Sequence, residues 1–153
     1  MKKAATISQL KKELAELDRE ELINVCVRMA KFKVECKELL TYLLMKANDE
    51  VGYAAALCEE LDALLITPGR IHKKTLRKVI RWMDKSLRFS GDKETELQVR
   101  IHFCRRIKEK RITFGGCRVS SNLYNSQLKK IDKAIAKVHA DLQFDFTQQL
   151  ATL

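Results

Sequence analysis

Thiol and imidazole side chains are the groups of this chain that could carry covalent or metal chemistry. The cysteines are five in number, widely scattered and never spaced as a Cys-x-x-Cys pair: Cys26, Cys36, Cys58, Cys104 and Cys117. This spacing predicts neither a zinc site nor a disulfide framework. Free cysteines are typical of reducing compartments, where they pack as small apolar residues. We therefore expect structural thiols in a cytoplasmic protein.

Two of these thiols have basic neighbours, which lower a thiol pKa. Cys104 precedes Arg105 and Arg106, and Cys117 precedes Arg118. Cys104 also falls on an apolar helical stripe, where burial raises the pKa instead. The sequence predicts an inert Cys104 and an exposed Cys117 of ordinary reactivity.

Catalysis or metal binding would need further groups near these thiols, and the sequence does not supply them. His72, His102 and His139 fall on three separate predicted helices. Gly115 and Gly116 lack the Lys-Ser/Thr pair that follows in a phosphate-binding loop. Covalent catalysis also requires a positioned base. We predict a non-enzymatic protein with no catalytic residue, no metal and no cofactor.

Positive charge is the strongest chemical signal in the chain. The 153 residues have a formal net charge of +10 at pH 7. Residues 70–118 hold 16 basic and 5 acidic residues, a net charge of +11, whereas residues 1–69 carry −2 and residues 119–153 carry +1. Arg outnumbers Lys in the basic segment, and its guanidinium suits bidentate phosphate contact. This segment is predicted to bind a polyanion such as nucleic acid.

The candidate polyanion-binding residues occupy two consecutive predicted helices. They are Arg70, Lys73, Lys74, Arg77, Lys78, Arg81, Lys85, Arg88, Arg100, Arg105 and Arg106. If the two helices form an antiparallel hairpin, their basic faces can adjoin. The alternatives are a solvated face that keeps the protein soluble and a surface for an acidic protein. Like charges four residues apart destabilise a helix, which disfavours the solvated face.

No specific nucleic-acid motif accompanies this charge. The chain has no aromatic RNP strand, no zinc-finger spacing and no KH-type glycine loop. A helix-turn-helix could use residues 67–69 or 90–92 as its corner. Trp82, beside Arg81, could stack on a base, but a lone Trp in an amphipathic helix more often packs in the core.

Composition and hydrophobic periodicity define the elements that must position these residues. The chain is 46% apolar, and its five Gly and one Pro are too few for the many turns of a β protein. We predict one all-α domain over 1–153, with about six helices in a bundle or a short stack of antiparallel helical hairpins. The longest apolar run, residues 51–58, is far shorter than the ~20 residues of a membrane helix, so no membrane association is expected.

Caps and breakers set the expected helix ends. Ser8 is a candidate cap for the first helix, and Asp18 with Glu21 predicts a capping box for the second. The apolar pattern then continues without Gly or Pro, so residues 19–46 form either one helix or two broken near Lys33.

Later helices are bounded in the same way. One starts near Asn48 and ends at Thr67, Pro68 and Gly69. The basic helix ends near Gly91. Another begins at Asp92 and is terminated by residues 115–116.

The C-terminal segment has the most regular period. Apolar residues from Tyr124 to Leu142 alternate steps of four and three, which is a heptad seam. The pattern predicts one continuous helix over about 120–143. A seam packed within its own bundle is structural. An exposed seam would instead make the chain a protein-interaction or scaffold module that dimerises or captures a partner helix, without nucleic acid.

Three segments of the sequence are similar to a family of known proteins. They are LKKELAELDREEL over 10–22, SGDKETE over 90–96 and NLYNSQLKKIDKAIAKVHADL over 122–142. Together they resemble a family of small helical proteins from Bacteroidetes that has no assigned activity. The resemblance implies a bacterial cytoplasmic protein with an all-α fold, and it transfers no functional residue.

Overall fold

The computed structural model describes residues 3–66 and 68–153. These residues form eight α-helices joined by turns and loops, and they contain no strand. The all-α fold is confirmed, and the expected number of about six helices is wrong. Thr67, in the predicted turn, lies outside the described residues. Contacts divide the chain into two compact units, Met1–Met45 and Lys46–Leu153. The single domain over 1–153 stays a prediction.

The first unit contains three helices. They are α1 (Ile7–Glu16), α2 (Arg19–Phe32) and α3 (Val34–Met45). Thr6, and not Ser8, caps α1, because its hydroxyl accepts the Gln9 N–H. Lys33 is extended and ends α2, so residues 19–46 form two helices.

The predicted capping box at the start of α2 is confirmed. Asp18 Oδ1 accepts the Glu21 N–H at 2.8 Å, and the Glu21 carboxylate accepts the Asp18 N–H at 3.0 Å. Each carboxylate thus satisfies one of the amides that a helix start leaves without a partner.

The second unit contains five helices around a common core. They are α4 (Glu50–Leu64), α5 (Lys73–Ser90), α6 (Lys93–Glu109), α7 (Arg118–Ile135) and α8 (Ala140–Ala151). Helix α6 is central and contacts the other four. Most of its circumference is therefore buried, as at Leu97, Val99, Ile101 and Phe103, while Gln98 and Glu109 stay exposed.

Helix α6 ends before the glycines that were expected to terminate it. Arg111 takes a left-handed conformation with φ of 49°. The Ile112 N–H donates to the Ile107 carbonyl and the Arg111 N–H to the Lys108 carbonyl, each at 2.9 Å. This is a Schellman motif, closed by two buried isoleucines. Termination at residues 115–116 is wrong because tertiary burial of Ile112 fixes the earlier end.

The predicted continuous C-terminal helix over 120–143 is also wrong. Helix α7 ends at Ile135. The Lys137 and Val138 N–H groups then donate hydrogen bonds to the carbonyls three residues before them, which tightens the last turn. His139 is extended and precedes α8. The seam residues from Tyr124 to Leu142 nevertheless all pack against the core of this unit.

Candidate functional site

Seven cations of α5 lie on one face of the helix, and we call this face the basic stripe. Its members are Lys73, Lys74, Arg77, Lys78, Arg81, Lys85 and Arg88. At 3.6 residues per turn they fall within an arc of about 140°. Lys85 is half-buried and the other six are exposed. The structure thus brings these seven predicted residues together on one face.

The opposite face of α5 is buried, and this orients the basic stripe toward solvent. Leu76, Val79, Ile80, Met83 and Leu87 are all at least 95% buried. Rotating the stripe inward would expose these five apolar side chains. Gly91 ends the helix in a left-handed conformation with φ of 71°, as the sequence predicts. Trp82 is partly buried and packs against the core, as expected for a lone Trp in an amphipathic helix.

Helix α5 itself supplies a single acid to neutralise the stripe. Asp84 is the one carboxylate in α5, and it pairs with Arg100 Nη1 and Lys130 Nζ, each at 2.8 Å. Among the described residues, none of the six exposed stripe cations has an ion-pair partner. The stripe therefore keeps its positive charge at the surface.

Arg100 does not belong to this surface, so its assignment as a polyanion-binding residue is wrong. Its side chain is 5% exposed and lies 3.0 Å from Glu96 and 2.8 Å from Asp84. It also donates to Gln127 Oε1 at 2.6 Å. Burial opposes ionisation of Glu96, but hydrogen bonds from Lys93 and Arg100 outweigh it and lower the pKa of Glu96.

Arg106 is also paired with acids, but its side chain is about one-third exposed, so its role in polyanion binding stays a prediction. Its guanidinium donates twice to the Asp62 carboxylate, at 2.6 Å each, and once to Glu109 at 2.9 Å. His102 Nε2 lies 2.9 Å from the same Asp62. The hydrogen bond from Arg106 is the largest cause that lowers the pKa of Asp62 to about 2. These contacts tie α6 to α4.

Arg105 and Arg70 are accessible but lie outside the stripe. Arg105 lines a cleft formed by α4, α6 and α8. Arg70 precedes α5, where the Ile71 N–H donates to the Thr113 carbonyl at 3.0 Å. A Cβ at Gly115 would lie 2.4 Å from the Arg70 side chain. The expected basic face shared by two helices therefore reduces to one helix, because Arg100 and Arg106 of α6 are paired with acids and Arg105 lines the cleft.

The acids that engage Arg100 and Arg106 were missed by sequence reasoning. Asp62 and Asp84 lie 44 and 16 residues from their arginine partners in the chain. No local spacing connects them. The available signal was local, since Glu96 lies four residues from Arg100 and Glu109 three residues from Arg106, a spacing that allows ion pairs on a helix.

The five thiols differ in burial and in pKa more than the sequence predicts. Cys104 is fully buried, which raises its pKa to about 12 and agrees with an inert side chain. Burial raises the pKa of Cys58 to about 11. Cys26 is exposed, and Cys36, Cys58 and Cys117 are half-buried, so most of the thiols are not core residues.

Cys117 is half-buried and not exposed as predicted, and its ordinary reactivity stays a prediction. It is the N-cap of α7, where its side chain makes no cap hydrogen bond, and the nearby Ser120 side chain and then the Ser120 N–H are the largest causes that lower its pKa. Burial works in the opposite direction, and the Val119 N–H and Lys73 add smaller stabilising contributions. The cause is the start of a helix, where unpaired amides favour a thiolate.

The histidines do not form a metal site with their surroundings. The sequence predicts that all three histidines lie within helices. His72 and His139 instead are the N-cap residues of α5 and α8. His102 lies within α6. In residues 3–66 and 68–153, no group of three His, Cys, Asp or Glu residues is arranged to hold a metal ion.

Comparison with protein-family models, curated proteins and solved structures finds no match for this chain. The resemblance to small helical proteins of Bacteroidetes therefore stays a prediction, as does a cytoplasmic location. None of the described helices is long and apolar enough to cross a membrane.

Proposed function

We propose that the basic stripe of α5 binds the phosphate backbone of a nucleic acid. The observation that carries this proposal is the concentration of seven cations on one face, while the single acid of that helix is held by Arg100 and Lys130. This surface supports binding of a polyanion best, and we propose a non-enzymatic protein of the cytoplasm.

Electrostatic energy favours an anionic partner. The stripe contains like charges four residues apart, as in Lys73 with Arg77, Lys74 with Lys78 and Arg77 with Arg81. Each such pair destabilises a helix by about 0.2–0.5 kcal/mol. Bound phosphates would screen these repulsions, so binding should also stabilise the fold.

The length of the stripe suits several phosphates. From Lys73 to Arg88 the helix rises about 22 Å at 1.5 Å per residue. Phosphates of one strand of duplex DNA follow one another every 3.4 Å of axis, so the stripe spans about six of them. Backbone contacts carry no sequence information, and duplexes of different sequence should bind with similar affinity.

The test is fluorescence anisotropy with a labelled 20-base-pair duplex over a range of salt concentrations. With about four to six phosphate contacts, a fourfold rise in salt should weaken binding by about 10² to 10³. Reversing three exposed stripe charges, in R77E/K78E/R81E, should abolish binding at moderate salt while circular dichroism shows the same helix content.

The matched control is K129E/K133E/K137E, which makes the same change in net charge at exposed lysines outside the stripe. It should retain most of the affinity and the same salt slope. Absence of binding at low salt, or equal loss in both triple variants, would reject the stripe as a nucleic-acid site.

The rival function as a scaffold module requires an exposed heptad seam. Ile131 is completely buried, and the seam is split between α7 and α8. Since its apolar side chains already pack within the second unit, no observation favours capture of a partner helix by this segment.

A further inference from the structure

A cleft of about 410 Å³ lies between α4, α6 and α8, and no residue of the basic stripe lines it. Each helix contributes residues at the spacing of one helical face. They are Val51, Ala54, Ala55 and Cys58 from α4, Gln98, Ile101, His102 and Arg105 from α6, and Leu142, Asp145, Phe146 and Gln149 from α8. Small-molecule sites in proteins commonly have volumes of about 300–1,000 Å³.

The inner part of the cleft is apolar. Ala54, Ile101 and Phe146 are at least 93% buried, and Leu142 packs beside them. The small side chains of Ala54 and Ala55 leave the space that a larger residue on α4 would fill. An apolar group that enters here would lose contact with water on several sides.

The rim of the cleft holds one cation that no acid neutralises. Arg105 is half-buried and has no ion-pair partner among the described residues. Its neighbours on α6, His102 and Arg106, are both held by Asp62. The Asp62 contacts therefore fix this part of α6 while leaving the Arg105 guanidinium available. Exposed Gln98 and Gln149 add amide groups to the rim.

We propose that this cleft binds a small amphipathic carboxylate, with its apolar body against Ile101 and Phe146 and its carboxylate on Arg105. A guanidinium forms strong charge-assisted hydrogen bonds with a carboxylate. The apolar floor requires a hydrocarbon or aromatic body, and this excludes small inorganic anions as adequate ligands.

Asp145 is the one acid on the rim, and it distinguishes a simple anion from a zwitterion. It is exposed on α8 and has no ion pair with Arg105. Toward an anion its charge is repulsive, so Asp145→Asn should tighten binding. Toward an amino acid the same carboxylate would hold the ammonium group, and Asp145→Asn would weaken binding.

The experiment is calorimetric titration of the full chain with sodium octanoate, octylamine and octanol. Octanoate should bind, while octanol and octylamine should bind at least tenfold more weakly because neither carries a carboxylate. Arg105→Gln should weaken octanoate binding about tenfold or more. The matched control is Lys108→Gln, an exposed cation of α6 outside the cleft, and it should leave octanoate binding unchanged.

A second variant tests the apolar floor without removing charge. Ala55 is exposed at the cleft, so Ala55→Phe should fill the space and abolish octanoate binding while the protein stays folded. No binding of octanoate, equal binding of octanol, no effect of Arg105→Gln, or weaker binding after Asp145→Asn would each overturn the proposal. The stripe variant R77E/K78E/R81E should bind octanoate normally, which separates this inference from the nucleic-acid proposal.

Discussion

Residues with the same side chain have different roles in this molecule. Arg81 is exposed without an ion pair, Arg100 is buried in a network with Asp84, Glu96 and Gln127, and Arg105 lines the cleft. The difference arises from the surrounding helices and not from the local sequence. Thiols show the same effect, because burial raises the pKa of Cys104 while a helix start lowers that of Cys117.

Cys117 should therefore react at lower pH than the other thiols. In site-resolved alkylation from pH 6 to 9, its rate should rise at lower pH than that of exposed Cys26, and Cys104 should stay unreactive in the folded protein. Ser120→Ala should shift the Cys117 profile to higher pH, because the Ser120 side chain is the largest cause of the lowered pKa. Coinciding profiles for Cys117 and Cys26 would contradict this prediction.

At the scale of elements, helix ends are set by both local caps and distant packing. Asp18 and Asp92 cap α2 and α6 through their own side chains, and the sequence predicts both. Arg111 instead occupies the left-handed position of a Schellman motif that favours glycine. A non-glycine residue in this conformation costs about 1–2 kcal/mol, so the end of α6 carries backbone strain.

Relief of this strain predicts a stabilising substitution. Arg111→Gly should raise the free energy of unfolding by about 0.5–1 kcal/mol, because the added freedom of glycine in the unfolded chain offsets part of the gain. Urea denaturation measures the change. Arg111→Ala, which removes the charge but keeps the strain, should not stabilise, and Lys108→Gly inside α6 should destabilise by about 1 kcal/mol. If Arg111→Gly and Arg111→Ala change the free energy of unfolding by the same amount, backbone strain at residue 111 is not the cause.

At the scale of the whole molecule, the core and the charge are distributed unevenly along the chain. Apart from Tyr42, every buried side chain of the described residues belongs to the second unit, whereas most of the exposed large apolar side chains lie in residues 3–45. The net charge of +10 grows further on acidification, and this self-repulsion lowers stability. Carboxylates paired with cations, Asp62 foremost, should therefore dominate the acid stability of the second unit.

The pH dependence of Asp62 follows from the direction of its shift. Its pKa falls from 3.8 to about 2 on folding, so its stabilising contribution is complete above pH 3.8 and is lost as the pH falls toward 2. At pH 7, Asp62→Asn should lower the free energy of unfolding by about 1 kcal/mol, after allowance for solvent screening of a partly exposed carboxylate. Below pH 2 the variant and the parent protein should converge.

Denaturant unfolding at several pH values measures this dependence. Glu59→Gln is the matched control, since Glu59 is exposed on the same helix and has no ion pair among the described residues. Its effect should be within a few tenths of a kcal/mol at every pH. A loss for Asp62→Asn that persists unchanged at pH 2 would show that the Asp62 contacts act through packing and not through charge.

The sequence by itself determined the all-α class, the caps at Asp18, Asp92 and Gly91, and the basic face of α5, because each depends on contacts within about one helical turn. Only the tertiary structure decided the breaks at Lys33 and His139, the end of α6 at Arg111 and the burial of that helix. It also decided which arginines are paired. Asp62 and Arg106, 44 residues apart, meet only because α4 packs on α6. The cleft has the same origin, since three helix faces that are separate in the chain enclose it.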